Sequence, residues 1–215
     1  MYQLPDPRIV KDMDNVGAQN MREITSFKIG VLAYRSGWTE LEMLENSHVS
    51  SDFEEFLSML GDRVELHGHS HYAGGLDVSA SKSTGDISLY TRHREDVEIM
   101  YHVGPWIPLV QGEKPDARVI QRKRHVGNDY CVIIFLDSFE DVLENAVVAT
   151  APPPSVSLAG SSEGPLNDGT SSGQFVPTLL KTKYCHMYIV VGKDHEASLH
   201  AKTTMYRVAI VLRDG

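Results

Sequence analysis

Only two cysteines, Cys131 and Cys185, occur among the 215 residues, and no apolar run approaches the ~20 residues of a membrane-crossing helix. Both cysteines lie inside apolar, strand-like segments. A secreted domain of this length usually carries more thiols in pairs, so the expectation is a reduced, intracellular protein. The opening MYQLPDPRIV lacks the apolar core of a signal peptide, which predicts a soluble, cytosolic chain. Positive charge is scarce as well: Lys+Arg 20 against Asp+Glu 29 gives a formal net charge of -9. That balance argues against a nucleic-acid surface, because a phosphate backbone demands a basic footprint. No G-x-x-x-x-G-K-[ST] and no strand-linked G-x-G-x-x-G is present to cradle a nucleotide, and no G-x-S-x-G to hold a nucleophile. Internal repeats are also missing.

What the chain does contain is ordinary globular material, 41% hydrophobic and 23% charged, enough to bury a core. KIGVLAYR (28–35) is β-branched and apolar and reads as a strand. In SSDFEEFLSML, Ser51 precedes Glu54 by three residues, which suggests a capping box. The helix it opens would carry Phe53, Phe56, Leu57 and Leu60 at helical spacing. VELH (64–67) and DISLYTR (86–92) read as strands separated by turns. REDVEIMYHVGPWIP begins with Glu95, Asp96 and Glu98 and stops at Pro108, so it is expected to be a helix with acids at its positive end. DYCVIIFL, YCHMYIVV and TMYRVAIVL supply three further strands, the first too continuously apolar to face water.

The stretch APPPSVSLAGSSEGPLNDGTSSG (151–173) has almost nothing to bury. As a linker it would leave two strands that could not stand alone, so it is assigned as an insertion loop within one domain. The expected fold class is α/β: a single domain, residues 25–215, with a central, mostly mixed β-sheet flanked by helices, after an N-terminal extension over 1–24.

Two clusters carry possible chemistry. In VELHGHSHY, His67, His69 and His71 alternate, and on a strand three imidazoles on one face could bind zinc and support a metal-dependent hydrolase. No second ligand pair accompanies them among His102, His125, His186, His195 and His200, and the bland reading is a His-rich surface loop.

The second cluster is QRKRHVGNDYCVIIF (121–135), which concentrates Arg122, Lys123, Arg124 and His125 before Gly127-Asn128-Asp129. On a helix Arg124, His125 and Asn128 would share a face. Gly127 inside a helix costs about 1 kcal/mol against alanine, so something should require it. Either Gly127 or Asn128 ends the helix in the left-handed conformation, with the basic residues complementing the dipole, or the missing β-carbon admits another macromolecule while Asn128 reaches outward. A carboxamide donates and accepts hydrogen bonds, so it can hold a water without acting as a base. Asp129 would cap or orient the turn, or merely begin the strand. Trp38 and Trp106 fit either partner anchors or packing, and Phe175 and Tyr184 receive no role.

RKRHVGNDYCVIIF resembles the signature of the Rap/Ran-GAP family of GTPase-activating domains, in which K-R-H-x-G-N-D precedes an apolar strand. KIGVLAY with SSDFEEFLSMLG, DVEIMYHVGPWIPL, YAGGLD and FVPTLLKTKYCHMYIVV are similar to other segments of that family, over residues 25–138 and again from Phe175. YAGGLD and the spacing point to the tuberin-type branch. The resemblance implies a domain that stimulates a Ras-like small GTPase in its GTP form, with Rheb first and Rap or Ral next, through an asparagine thumb that positions the attacking water. The matching thumb is Asn128. His125 would support it, and Arg122, Lys123, Arg124, Gly127 and Asp129 would meet the partner. The chain would need no cofactor of its own, since the GTPase holds Mg²⁺ and GTP. A non-catalytic GTPase-binding domain remains the other reading of the same resemblance. The 151–173 stretch is longer than in tuberin-type domains, and the chain stops at Gly215 where those continue into a basic helix. Hamartin-type partners and recruitment to an endomembrane or lysosomal surface are therefore expected to depend on regions outside this chain.

Overall fold

The computed structural model describes residues 25–93, 97–112, 114–136 and 180–212. The extension 1–24, the 151–173 insertion, Glu95, Asp96 and Phe175 lie outside the described residues. The most continuously apolar runs become the middle of a sheet. β1 (Ser26–Tyr34) and β5 (Cys131–Leu136) run parallel, with Ile29 opposite Cys131 and Tyr34 opposite Leu136. β4 (Val97–Val103) lies parallel on the other side of β1, and β6 (Met187–Lys193) parallel beside β5. β3 (Ile87–His93), β2 (Asp62–Glu65) and β7 (Tyr206–Leu212) add antiparallel pairs outside these. The seven-stranded sheet has the order β2-β3-β4-β1-β5-β6-β7. The chain is thus one mixed α/β domain with helices on both faces.

Alternation along the central strands feeds two cores. On one face Leu32, Tyr34, Val132 and Ile134 pack with Met43 and Leu44 of α1 (Glu40–Glu45) and with Val119 and Val126. On the other, Val31, Ala33, Ile133 and Phe135 meet Phe53, Phe56 and Leu57 of α2 (Ser51–Leu60). The Phe135 ring lies 5.1 Å from that of Phe53 and 5.3 Å from that of Phe56. Truncating such a residue to alanine costs about 3–5 kcal/mol.

Three local expectations are corrected. The segment expected to be a helix is strand β4: both neighbours, β3 and β1, hydrogen-bond to it, and Met100 to Val103 are buried. Tertiary pairing overrides the acids that suggested a helix start, and Glu98 instead accepts a 2.6 Å hydrogen bond from the Tyr90 hydroxyl. The N-cap of α2 is Ser50, whose hydroxyl accepts from the Phe53 N–H, while the Glu54 carboxylate pairs with Arg63 rather than closing a box. The capping box belongs to the shorter α1, where Thr39 and Glu42 satisfy each other's backbone N–H groups at 3.3 and 2.8 Å. Beyond β6, an additional helix spans His195–Ala201, capped by Asp194.

Candidate functional site

From the end of β4 the chain passes through a short 3-10 turn (Gly104–Trp106), α3 (Pro115–Arg118) and α4 (Ile120–His125) before entering β5. A second 3-10 turn, Val126–Asn128, links α4 to the strand. Val119, Arg122 and Val126 recur at helical spacing, and all three are buried, with Arg122 only 1% exposed. Its guanidinium donates to the carbonyls of Ile107, Leu44 and Asn46, each at 2.7 Å, to Ser47 Oγ at 2.9 Å and to the Pro105 carbonyl at 3.4 Å. The Leu44 and Asn46 carbonyls lie at the C-terminal end of α1, where backbone acceptors lack helical partners. Burial pushes the Arg122 pKa down to about 10, with the Glu45 charge opposing the shift. Arg122 therefore ties α4 to α1 from inside, and it is not a surface docking charge.

The neighbouring cations differ. Lys123 lies 3.5 Å from Glu40 and 3.3 Å from Asp116. Arg124 is exposed and has no ion pair among the described residues. His125 is half-buried, its ring 5.2 Å from that of His102. Burial first, then the charges of His102, Arg124 and Lys28, hold its pKa down to about 4, so the imidazole is neutral at pH 7.

Asn128 is exposed at the end of the turn, and its Nδ2 donates to the Arg124 carbonyl at 2.6 Å. Neither Gly127 nor Asn128 has a positive φ, so the left-handed helix end that would have explained the glycine is absent. A β-carbon on Gly127 would meet nothing nearer than Thr182 Cβ at 4.0 Å. Packing within the described chain does not demand glycine there.

The residue after Asn128 is fixed from below. Asp129 is fully buried, with Oδ2 at 2.8 Å from His102 Nδ1 and Oδ1 in ion-pair range of Lys28 Nζ at 3.5 Å, without a hydrogen bond. The other His102 nitrogen, Nε2, is 3.1 Å from the Gly74 carbonyl. The ring is thus held between two acceptors, the Asp129 carboxylate on one side and the Gly74 carbonyl on the other. Gly74 has φ +64, and a β-carbon on it would come within 3.0 Å of His102 Nε2. The glycine of YAGGLD thus lets the loop close over the histidine. Asp129 acts here as an internal anchor and contributes no exposed surface.

Against the turn lies residue 180 onward. The Thr182 hydroxyl donates to the Gly127 carbonyl, and the Lys181 N–H donates to Glu40 Oε1 at 2.7 Å. Asn128, Lys123, Lys181, Lys183 and Tyr184 border a recess of about 180 Å³. The sequence reading did not identify His102, Lys28, Gly74 or the 180–184 segment as parts of this site. The alternation of Val119, Arg122 and Val126 was a signal available for Arg122; for the others the contacts are long-range and leave no local pattern.

The histidine-rich stretch does not form a strand face. β2 ends at Glu65, Gly68 turns at φ +74, and the His69 N–H returns to the Leu66 carbonyl. His71 Nδ1 sits 3.2 Å from Glu98, His69 and His71 pack on the Tyr90 ring, and His67 is exposed. Among the described residues no group of three or more His, Cys, Asp or Glu side chains is arranged to hold a metal ion. Trp38 and Trp106 are half-buried, each beneath a guanidinium, Arg35 at 5.6 Å and Arg63 at 4.7 Å. No helix among the described residues is long and apolar enough to cross a membrane.

Comparison with known proteins adds to this geometry. Residues 43–151 match the family described as Rap/ran-GAP. The chain is 38% identical over 143 residues to the RapA guanosine triphosphatase-activating protein 1 of Dictyostelium discoideum, covering 66% of this chain and 13% of that protein. It is 34% identical over 196 residues to a PH and Rap-GAP domain-containing protein of the same organism, covering 90% of this chain and 13% of the relative. The chain thus spans about an eighth of the length of these relatives. In fold it resembles the solved structure of the TSC2 GAP domain, with a TM-score of 0.62 and 24% identity over 88% of this chain and 82% of that one.

Proposed function

This chain belongs to the Rap/ran-GAP family, and from that premise we propose that it stimulates GTP hydrolysis by a Ras-like small GTPase, with Asn128 as a thumb inserted into the partner's nucleotide pocket. The observation that carries the reading is the pairing of an exposed carboxamide with a buried anchor one residue later. Asn128 is solvent-facing, while Asp129 is fixed by His102 and Lys28 from the sheet. Ordering is therefore supplied before any partner arrives, which lowers the entropic cost of positioning.

The chemistry asks little else of the domain. Phosphoryl transfer depends on positioning and electrostatic stabilisation, and the GTPase supplies Mg²⁺ and the phosphate contacts. The Asn128 amide can accept from and donate to the attacking water, orienting it at the γ-phosphate. Neutral His125 lies one turn back as support for the turn, and Gly127, buried but lining the recess beside Asn128, keeps that recess free of a side chain. Arginine fingers contribute roughly 10³ to 10⁵ in rate in other systems, about 4–7 kcal/mol at ~1.36 kcal/mol per decade, and a water-positioning amide is expected in or below that range.

Partner order follows from what each likeness supports. The resemblance of the signature placed Rheb first, with Rap and Ral behind it. The relatives over 30% identical include one named for RapA, whereas the TSC2 likeness at 24% identity supports the fold alone. Rap therefore leads the panel, followed by Rheb and Ral. Single-turnover phosphate release from each GTP-loaded GTPase should rise with the wild-type domain. It should lose most of that stimulation with Asn128→Ala, at unchanged partner binding. A wild-type rate retained by Asn128→Ala but abolished by Arg124→Ala would transfer the catalytic role to the arginine.

A further inference from the structure

The cations at this end of the molecule divide by their partners. Arg122 is buried, Lys123 is shared by Glu40 and Asp116, and Lys28 is held near Asp129. Arg124, Lys181 and Lys183 are exposed, with no ion pair among the described residues. Two of these three lie outside the signature, on a segment brought to Asn128 by tertiary structure. Thr182 between them is half-buried and donates to the Gly127 carbonyl, which fastens the segment to the turn itself. Glu40 adds a second tie through the Lys181 N–H. Two large rings flank the same end: Tyr184 is 61% and Tyr130 65% exposed. In a chain of net charge -9, cations without an ion pair among the described residues and two exposed aromatic rings, Tyr130 packed on one side by His186, thus gather around one exposed amide. Aromatic residues in a desolvated centre carry much of the energy of protein interfaces, and unpaired charges steer oppositely charged partners.

We propose that Lys181–Tyr184 is a docking ledge for an acidic patch beside the nucleotide pocket of the GTP-bound partner. Lys181 and Lys183 supply the charge and Tyr184 the apolar contact. The inference rests on the reading of Asn128 given above and adds a binding surface to it. The ledge acts in association and leaves the water-positioning step to Asn128. It is tied to the turn by Thr182, so docking on it brings the amide to a fixed distance from the partner's phosphates.

The test is the double variant K181E/K183E, with GTP-loaded Rap, Rheb and Ral, measured by single-turnover hydrolysis across domain concentrations. Binding to the same GTPases carrying a non-hydrolysable GTP analogue is measured in parallel, at low and physiological salt. The half-saturating concentration and the Kd should both rise at least about tenfold, with the saturating rate retained and the salt dependence flattened. K181R/K183R should restore both values, and K181Q/K183Q should fall between. Unchanged half-saturation and Kd would overturn the ledge, as would a lowered saturating rate at unchanged affinity. A wild-type domain that binds a GTP-loaded partner without accelerating it would remove the function proposed for Asn128, while the Kd comparison still decides the ledge. One that binds none of the three would overturn both.

Discussion

Replacing Gly127 by alanine separates what the fold needs from what a partner needs. The residue lies in the 3-10 turn Val126–Asn128 without a positive φ, so alanine adopts its backbone without strain. The added methyl would sit 4.0 Å from Thr182 Cβ, an ordinary contact. With the native conformation accessible, a Gly→Ala change removes freedom from the unfolded chain and stabilises by about 0.4–1 kcal/mol. For a domain of this size that corresponds to a Tm rise of roughly 1–4 °C. On the proposed docking, stimulation should move the other way, because Gly127, although buried, lines the recess beside Asn128, and a methyl there narrows the space a partner would enter. At least a tenfold loss in single-turnover efficiency is expected, on the scale of a 1 Å misplacement of reacting groups. The assay pairs thermal unfolding with phosphate release on one preparation. A Tm lowered by more than about 3 °C would refute the packing argument. Full stimulation at a raised Tm would refute the idea that the glycine is kept for a partner.

Other perturbations distinguish residues that look alike in sequence. Arg122→Met strips five hydrogen bonds and strands buried carbonyl acceptors, so chemical denaturation should show a loss of about 3–5 kcal/mol, whereas exposed Arg124→Met should stay within about 0.5 kcal/mol. A loss below about 1 kcal/mol for Arg122→Met would contradict the clamp. His125 keeps a folded pKa of about 4 against an ordinary value near 6.5. Between those values the unfolded chain binds a proton that the fold refuses, so stability falls as pH is lowered from 6.5 towards 4. Denaturation midpoints across that range should decline less steeply for His125→Gln, and parallel slopes would refute the assignment.

The legible parts of this fold were those set by local composition. Continuous apolar runs identified β1, β5 and β6, whose central residues are buried, while the largely exposed edge strand β7 was legible from its β-branched content. β4 was misread because Ile99, Met100 and Tyr101 in succession carry no period, and acids nearby tipped the choice to helix. Helix α1 escaped notice because six residues give less than two turns of pattern, although Thr39 and Glu42 form the capping box that was sought at Ser51. At the proposed site, a signature singles out Asn128 and His125, and the structure places Asn128 exposed and His125 half-buried. Three adjacent cations were not separable by type, since helical phase and distant carbonyls decide that Arg122 goes inside while Arg124 stays out. The His102–Asp129 pair joins residues 27 positions apart, and the Thr182–Gly127 bond joins residues 55 apart; neither has any trace in local spacing.

That last bond has a bearing on what keeps its two stretches of chain together. The turn Val126–Asn128 and the segment Lys181–Tyr184 lie on either side of residues 137–179, yet they are stitched together by β5–β6 pairing and by Thr182. Doubling a flexible connecting segment adds only about 0.6 kcal/mol of closure entropy, so the pairing of β5 with β6, rather than the length of what joins them, keeps the two surfaces together. A change in the length of that connection should therefore leave the spacing between the turn and the Lys181–Tyr184 segment unaltered.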